Sequence, residues 1–116
     1  MNNISKKKLK ILIDLDGVLN TYSGEYISDY IPPIKGGAYE FIKELSKIYI
    51  VKIFTARDKF LVNKWILKNN LSDFISGITN EKEPAWLYID DRCIKFEGNY
   101  QILLSKIENF KVWYSK

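Results

Sequence analysis

Apolar residues along the chain alternate between two spacings. Leu9 to Leu15 is a short, mostly apolar run of the kind a central strand shows when both of its faces are covered, and Gly17 breaks it. Asp14 falls near its carboxyl end. After a loop, Gly36 and Gly37 precede Ala38, Phe41, Ile42 and Leu45, whose i, i+3, i+4, i+7 spacing predicts a helix with one buried face. Ile48 to Phe54 reads as a second strand. Leu61 with Trp65 and Val62 with Ile66 give i, i+4 pairs on a second helix. Phe74 to Ile78 is the expected third strand and Trp86 to Ile89 the fourth, ending at Asp90. A helix around Leu103, Leu104 and Ile107 and a last strand at Phe110 to Tyr114 complete the order. Trp65, Trp86 and Trp113 are assigned to core packing. Strands alternating with helices predict an α/β, Rossmann-like domain: a mainly parallel central sheet, right-handed crossovers and helices on both faces. With 116 residues and no repeat or linker, the expectation is one domain over 1–116.

Composition narrows the class without naming a partner. Hydrophobic residues at 47% and charged residues at 28% place the chain among soluble globular proteins, and no stretch is long and apolar enough to cross a membrane. The net charge of +4 includes a basic run, Lys6 to Lys8, with no basic and aromatic interleaving after it. A solvated tail is therefore favoured over a nucleic-acid contact. The apolar residues that follow imitate the start of an export signal, but Asp14 and Asp16 interrupt them. With one cysteine, Cys93, no internal disulfide is possible, and the cytoplasm is the expected compartment. The absence of histidine removes the commonest imidazole base and metal ligand, so catalysis has to use other groups.

Candidate chemistry gathers at predicted strand ends. In an extended strand, residues two apart point the same way, so Asp14 and Asp16 can aim at one point while Gly17 lets the backbone turn. Two carboxylates held together need a cation, or one must keep a proton. The fourth strand also ends in acids, Asp90 and Asp91, and in open α/β sheets ligands collect outside the carboxyl ends of the strands. Hard carboxylate oxygens without histidine or multiple cysteines suit magnesium. Thr55, Ala56 and Arg57 close the second strand, where a hydroxyl and turn N–H groups can hold phosphate oxygens. Lys82 offers a movable positive charge before the fourth strand.

Taken in order, Asp14-Leu15-Asp16-Gly17-Val18-Leu19, Phe54-Thr55-Ala56-Arg57, Lys82 and Tyr88-Ile89-Asp90-Asp91 resemble the four motifs of the haloacid dehalogenase superfamily of phosphotransferases, over nearly the whole chain. That resemblance implies a phosphatase acting through an aspartyl-phosphate. Asp14 would be nucleophile and metal ligand, Asp16 general acid and base and part of the metal site, Thr55 the phosphate anchor and Lys82 the neutralising cation. Asp90 would bind magnesium directly and Asp91 support it through water. The intervals between motifs are too short for a cap domain, so the chain is similar to a capless member. Four carboxylates outweigh one magnesium ion and Lys82, so one acid should hold a proton when substrate binds, and Asp16 is the expected carrier.

Several positions keep two readings. Arg57 either reaches substrate or pairs with a nearby acid, and Lys59 is a poorer substitute for Lys82. The loop with Tyr22, Tyr26, Tyr30, Pro32 and Pro33 is either a packed flap or a substrate contact. Arg92 and Cys93 are expected to form a salt bridge and a small buried side chain. The substrate expected is a small phosphorylated metabolite such as a sugar phosphate or nucleotide. Alternatives are a non-catalytic magnesium-binding signalling domain, or a phosphatase acting on nucleic-acid ends. A homo-oligomer is compatible with a site that lacks a lid.

Overall fold

The computed structural model describes residues 8–115, so Lys6 and Lys7 of the basic run lie outside the described residues. Strand β1 (Lys10–Asp14) buries Ile11, Leu12 and Ile13 in succession, as a central strand covered on both sides must. Helix α1 (Ala38–Ser46) starts after Gly37, whose φ of 92° is a left-handed conformation that suits glycine, and α1 buries Ala38 and Ile42. Strand β2 (Ile50–Phe54) follows. Helix α2 (Lys59–Lys68) is capped by Asp58, whose carboxylate accepts from the Leu61 N–H at 3.0 Å. Strand β3 (Gly77–Thr79) starts later than expected, because Phe74 is held in a turn by its N–H bond to the Leu71 carbonyl. Strand β4 (Leu87–Ile89) and helix α3 (Tyr100–Glu108), capped by the Asn99 side chain, end the element order.

The four strands form one all-parallel sheet in the order β3-β2-β1-β4, a single Rossmann-like α/β domain. Ile13 sits between Ile53 and Ile89 in register, and Leu12 between Lys52 and Tyr88. By the alternation of side chains, Ile11, Ile13, Val51 and Ile53 share a face. They meet Ala38 and Ile42 of α1 and Val62, Trp65 and Ile66 of α2 in one buried cluster. Across the opposite face runs the connection from β3 to β4, the seven residues 80–86, irregular rather than helical, so among the described residues no helix packs on this face, where one was expected. Glu83 fastens it there, with ion pairs of 2.8 Å to both Lys10 and Lys52. Hydrogen bonds from Lys10 and then Lys52 hold the Glu83 carboxyl down at about 2.

The chain thus steps from β1 through β2 to β3 on one side, then returns to place β4 on the other side of β1. The topological switch point lies between β1 and β4, and Asp14 and Asp90 stand at the carboxyl ends of these two strands.

Three expectations are corrected. Phe110 to Tyr114 forms no strand; the segment turns back over the loop after β1. There the Trp113 indole N–H donates to the Gly17 carbonyl at 2.6 Å and the Tyr114 hydroxyl to Asp91 at 2.8 Å, side-chain bonds that fix the segment over this turn. Trp86 and Trp113 are each 58% exposed and so outside the core, whereas Trp65 is buried and donates its indole N–H to the Pro32 carbonyl. Cys93 is exposed, not buried. Helix α3 buries no residue and makes no close contact with any other helix or strand among the described residues.

Candidate active site

Beyond Asp14 the chain leaves β1 through a tight turn in which the Val18 and Leu19 N–H groups bond back to the Leu15 carbonyl. Leu15 and Leu19 are anchored in the core, which fixes the turn from below. Gly17 has φ of 85°, and a β-carbon there would collide with the Asp91 carboxylate and approach the Tyr114 ring to 3.1 Å. Only glycine lets the β1 turn and the β4 acids come this close.

One carboxylate oxygen from each of Asp14, Asp90 and Asp91 lies within 4.8 Å of the other two. Burial, followed by the charge of Asp90, pushes the Asp14 carboxyl up to about 8. Burial also raises Asp90, against the stabilising hydrogen bond its Oδ1 accepts from the Arg92 N–H at 2.9 Å. Asp91 is oriented by the Tyr114 hydroxyl, whose own ionisation burial raises first and the Asp91 contact second. Burial and crowding thus favour a proton shared within the Asp14, Asp90 and Asp91 cluster when no cation is bound.

Asp16 is not part of this cluster. Arg57 holds it in a two-pronged pair, Nε to Oδ2 at 2.7 Å and Nη2 to Oδ1 at 3.1 Å. The Asn20 amide adds a third bond to Oδ1 at 3.0 Å. The expectation that all four acids converge is corrected accordingly: the strand ends at Asp14, the turn rotates Asp16 away, and the planar guanidinium captures it. Of the two readings of Arg57, the pairing with a nearby acid is the one observed. Its side chain is 1% exposed; Nη1 donates to the Ile27 and Ser28 carbonyls at 2.8 and 3.2 Å, and the guanidinium lies 4.5 Å from the centre of the Tyr26 ring. Arg57 thereby ties Asp16 to the tip of the tyrosine loop. That loop forms no helix, and Tyr26 and Tyr30 are more than half exposed.

Thr55 is buried at the end of β2, and its hydroxyl accepts from the Arg57 N–H at 3.1 Å. With Ala56, Arg57, Lys59, Thr79 and Glu81 it lines a cavity of about 400 Å³ between the β2 and β3 ends. Lys82 is elsewhere: its ammonium sits 5.0 Å over the Tyr88 ring and pairs with none of the four acids among the described residues. Among the described residues Arg92 forms no salt bridge with an acid; the nearby Tyr114 hydroxyl is the first cause raising its pKa. Sequence reasoning missed Asn20, Trp113 and Tyr114 as site residues. Asn20 is fully buried, accepts from the Gly17 and Tyr22 N–H groups and donates to Asp16; an amide four positions past an acid, just after the apolar Val18 and Leu19, was the available signal. For Tyr114, nearly one hundred residues from the turn it caps, no local signal exists.

No known family model and no curated protein matches the sequence. A solved structure, described as that of a conserved protein coded by a locus from Bacteroides thetaiotaomicron, is similar to this chain with 20% identity and a TM-score of 0.59. The likeness covers 95% of this chain and 100% of that one, and at this identity it shows the fold alone. Among the described residues no helix is long and apolar enough to cross a membrane.

Proposed function

We propose that the protein is a magnesium-dependent phosphatase of the capless haloacid dehalogenase type, hydrolysing phosphate monoesters of small metabolites through Asp14. The observation that carries this reading is the meeting of Asp14, Asp90 and Asp91 at the switch point of a parallel sheet, with the Asp14 carboxyl raised to about 8 by burial and by its acidic neighbours. Three hard oxygen donors that repel one another fit a divalent cation such as magnesium, and Asp14, Asp90 and Asp91 would hold it. When bound, that ion supplies the positive charge that lets a phosphate dianion approach an aspartate.

The chain's own groups account for the remaining steps. A carboxylate oxygen of Asp14 attacks phosphorus, and the bond to the leaving oxygen breaks as the aspartyl-phosphate forms. The Thr55 hydroxyl, whose oxygen is held by the Arg57 N–H, can donate its proton to a phosphoryl oxygen. In the second step Asp16, oriented by Arg57 and Asn20, accepts a proton from the water that attacks phosphorus and frees Asp14. The proton that Asp16 gains from that water is the one it gives to the leaving oxygen of the next ester, and holding it requires Asp16 to release one Arg57 bond, which links this step to the tyrosine loop that the same arginine holds.

The engagement of Asp16 by Arg57 also supports a second reading, a magnesium-binding domain without turnover. Purified protein assayed against sugar phosphates, nucleotides and phosphorylated DNA ends, with and without magnesium, separates the two and identifies any preference for nucleic-acid ends. Phosphatase action predicts magnesium-dependent release of phosphate that falls about 1,000-fold or more in Asp14→Asn with the fold intact. Magnesium binding without phosphate release from any of these substrates would establish the second reading instead.

A further inference from the structure

Residues 110–115 add no side chain to the core cluster, yet two of them, Trp113 and Tyr114, reach the surroundings of the three acids. The Trp113 indole N–H donates to the Gly17 carbonyl at 2.6 Å, and the Lys35 ammonium lies 5.3 Å from the centre of the same indole ring. The Tyr114 ring meets Tyr22 edge to face at 5.8 Å, and its hydroxyl donates to Asp91 Oδ2 at 2.8 Å. A bond of 3.1 Å from the Ser115 N–H to the Val112 carbonyl closes the turn that presents both rings. One short segment is thus fastened to the turn after β1, to the stretch before α1 and to the acids after β4.

The three acids differ in what holds them. Asp14 ends a central strand, in register with Phe54, and Asp90 follows β4 directly and accepts the Arg92 N–H at 2.9 Å. Asp91 stands one residue further from the strand, and the hydrogen-bond donor on its carboxylate among the described residues is the Tyr114 hydroxyl. A carboxylate that swings freely loses that freedom when it takes up a cation, and a bond that already fixes it reduces the cost. Because a carboxylate offers about four lone-pair directions, the tyrosine bond leaves room for an ion.

We infer that residues 110–115 form a strap over the acidic cluster, in which Tyr114 is a positioning residue that aims Asp91 at a divalent cation and Trp113 anchors the strap to the Gly17 turn. The inference rests on the reading of Asp14, Asp90 and Asp91 as magnesium ligands. A hydroxyl that blocked the ion instead of aiming its ligand would give the opposite sign on removal.

Calorimetric titration of the full chain with magnesium, with no substrate present, tests the strap without turnover. Tyr114→Phe keeps the ring against Tyr22 and removes only the hydroxyl. Affinity for magnesium should fall about tenfold, as it does when a hydrogen-bond support of a metal ligand is lost. The melting temperature in a chelator should stay near that of the wild type, while the rise that magnesium brings should shrink. Trp113→Phe, which loses the indole N–H and keeps an aromatic ring, should weaken binding in the same direction. A wild-type chain that binds no magnesium overturns the cation reading and the strap with it. Wild-type binding that Asp90→Asn abolishes, but that is unchanged or tighter in Tyr114→Phe, overturns the strap alone.

Discussion

Gly17 is where the constraints on the site meet in a single residue. Its left-handed backbone and the lack of space for a β-carbon against Asp91 and Tyr114 are separate requirements, and a substitution violates both. Gly17→Ala should cost roughly 1–2 kcal/mol from the backbone alone. It should also push Asp91 out of the three-acid cluster. Calorimetric titration with magnesium is expected to show affinity reduced about tenfold or more, since one of three anionic donors is displaced. Unchanged affinity would mean that Asp91 does not take part in holding the ion. At this scale sequence reasoning was strong for the acids themselves and weaker for their companions. Asp14, Asp90 and Asp91 sit at strand ends that a local pattern can locate. The capture of Asp16 by Arg57 depends on two turns, forty-one residues apart, being held face to face.

Among the elements, α2 and α3 have the same kind of start and opposite fates. Asp58 and Asn99 each accept a hydrogen bond, at 3.0 Å, from the N–H three residues on. Helix α2 buries Val62, Trp65 and Ile66 in the core, while α3 buries nothing. Asp58→Ala should therefore lower global stability by about 1 kcal/mol, read as a shift of the denaturation midpoint. Asn99→Ala should leave that midpoint in place and instead speed amide exchange within Tyr100–Glu108. A loss of equal size in both would show that α3 is coupled to the core. The periodicities that identified α1, α2 and α3 are local, and all three helices are found. The strand expected at Phe110 to Tyr114 had the right residue types, but a strand exists only if a neighbour offers its edge, and no pattern within five residues reports that.

For the molecule as a whole, the acidic cluster sets the pH dependence of stability. The Asp14 carboxyl is raised from 3.8 to about 8 by burial and its acidic neighbours, so between these values the folded state holds a proton that the unfolded state has lost. More protons bound in the folded state means stability falls as pH rises, which is the opposite of the usual salt-bridged aspartate. In a chelator the melting temperature should therefore decline from pH 5 to pH 8, and Asp14→Asn should flatten the decline. Added magnesium should restore more stability at pH 8 than at pH 5, because at the lower pH the ion must displace the proton. A profile that is flat or rising in the chelator would remove Asp14 from its crowded setting.

The sequence by itself determined the parallel α/β architecture, the order of its elements from β1 to α3 and the placing of Asp14, Asp90 and Asp91 at strand ends, within a set of acids that also counted Asp16. Each of these is carried by spacing over a few residues and by the rule that ligands gather where parallel strands finish. The tertiary structure alone decided that Asp16 turns to Arg57, that Lys82 lies over Tyr88, that Trp113 and Tyr114 close over the Gly17 turn, and that α3 is left uncovered. These outcomes depend on which distant groups arrive within hydrogen-bonding or packing distance of one another. Charge-assisted hydrogen bonds and side-chain contacts act over a few ångströms of space and are indifferent to separation along the chain, so only the folded arrangement selects among the partners that composition makes available.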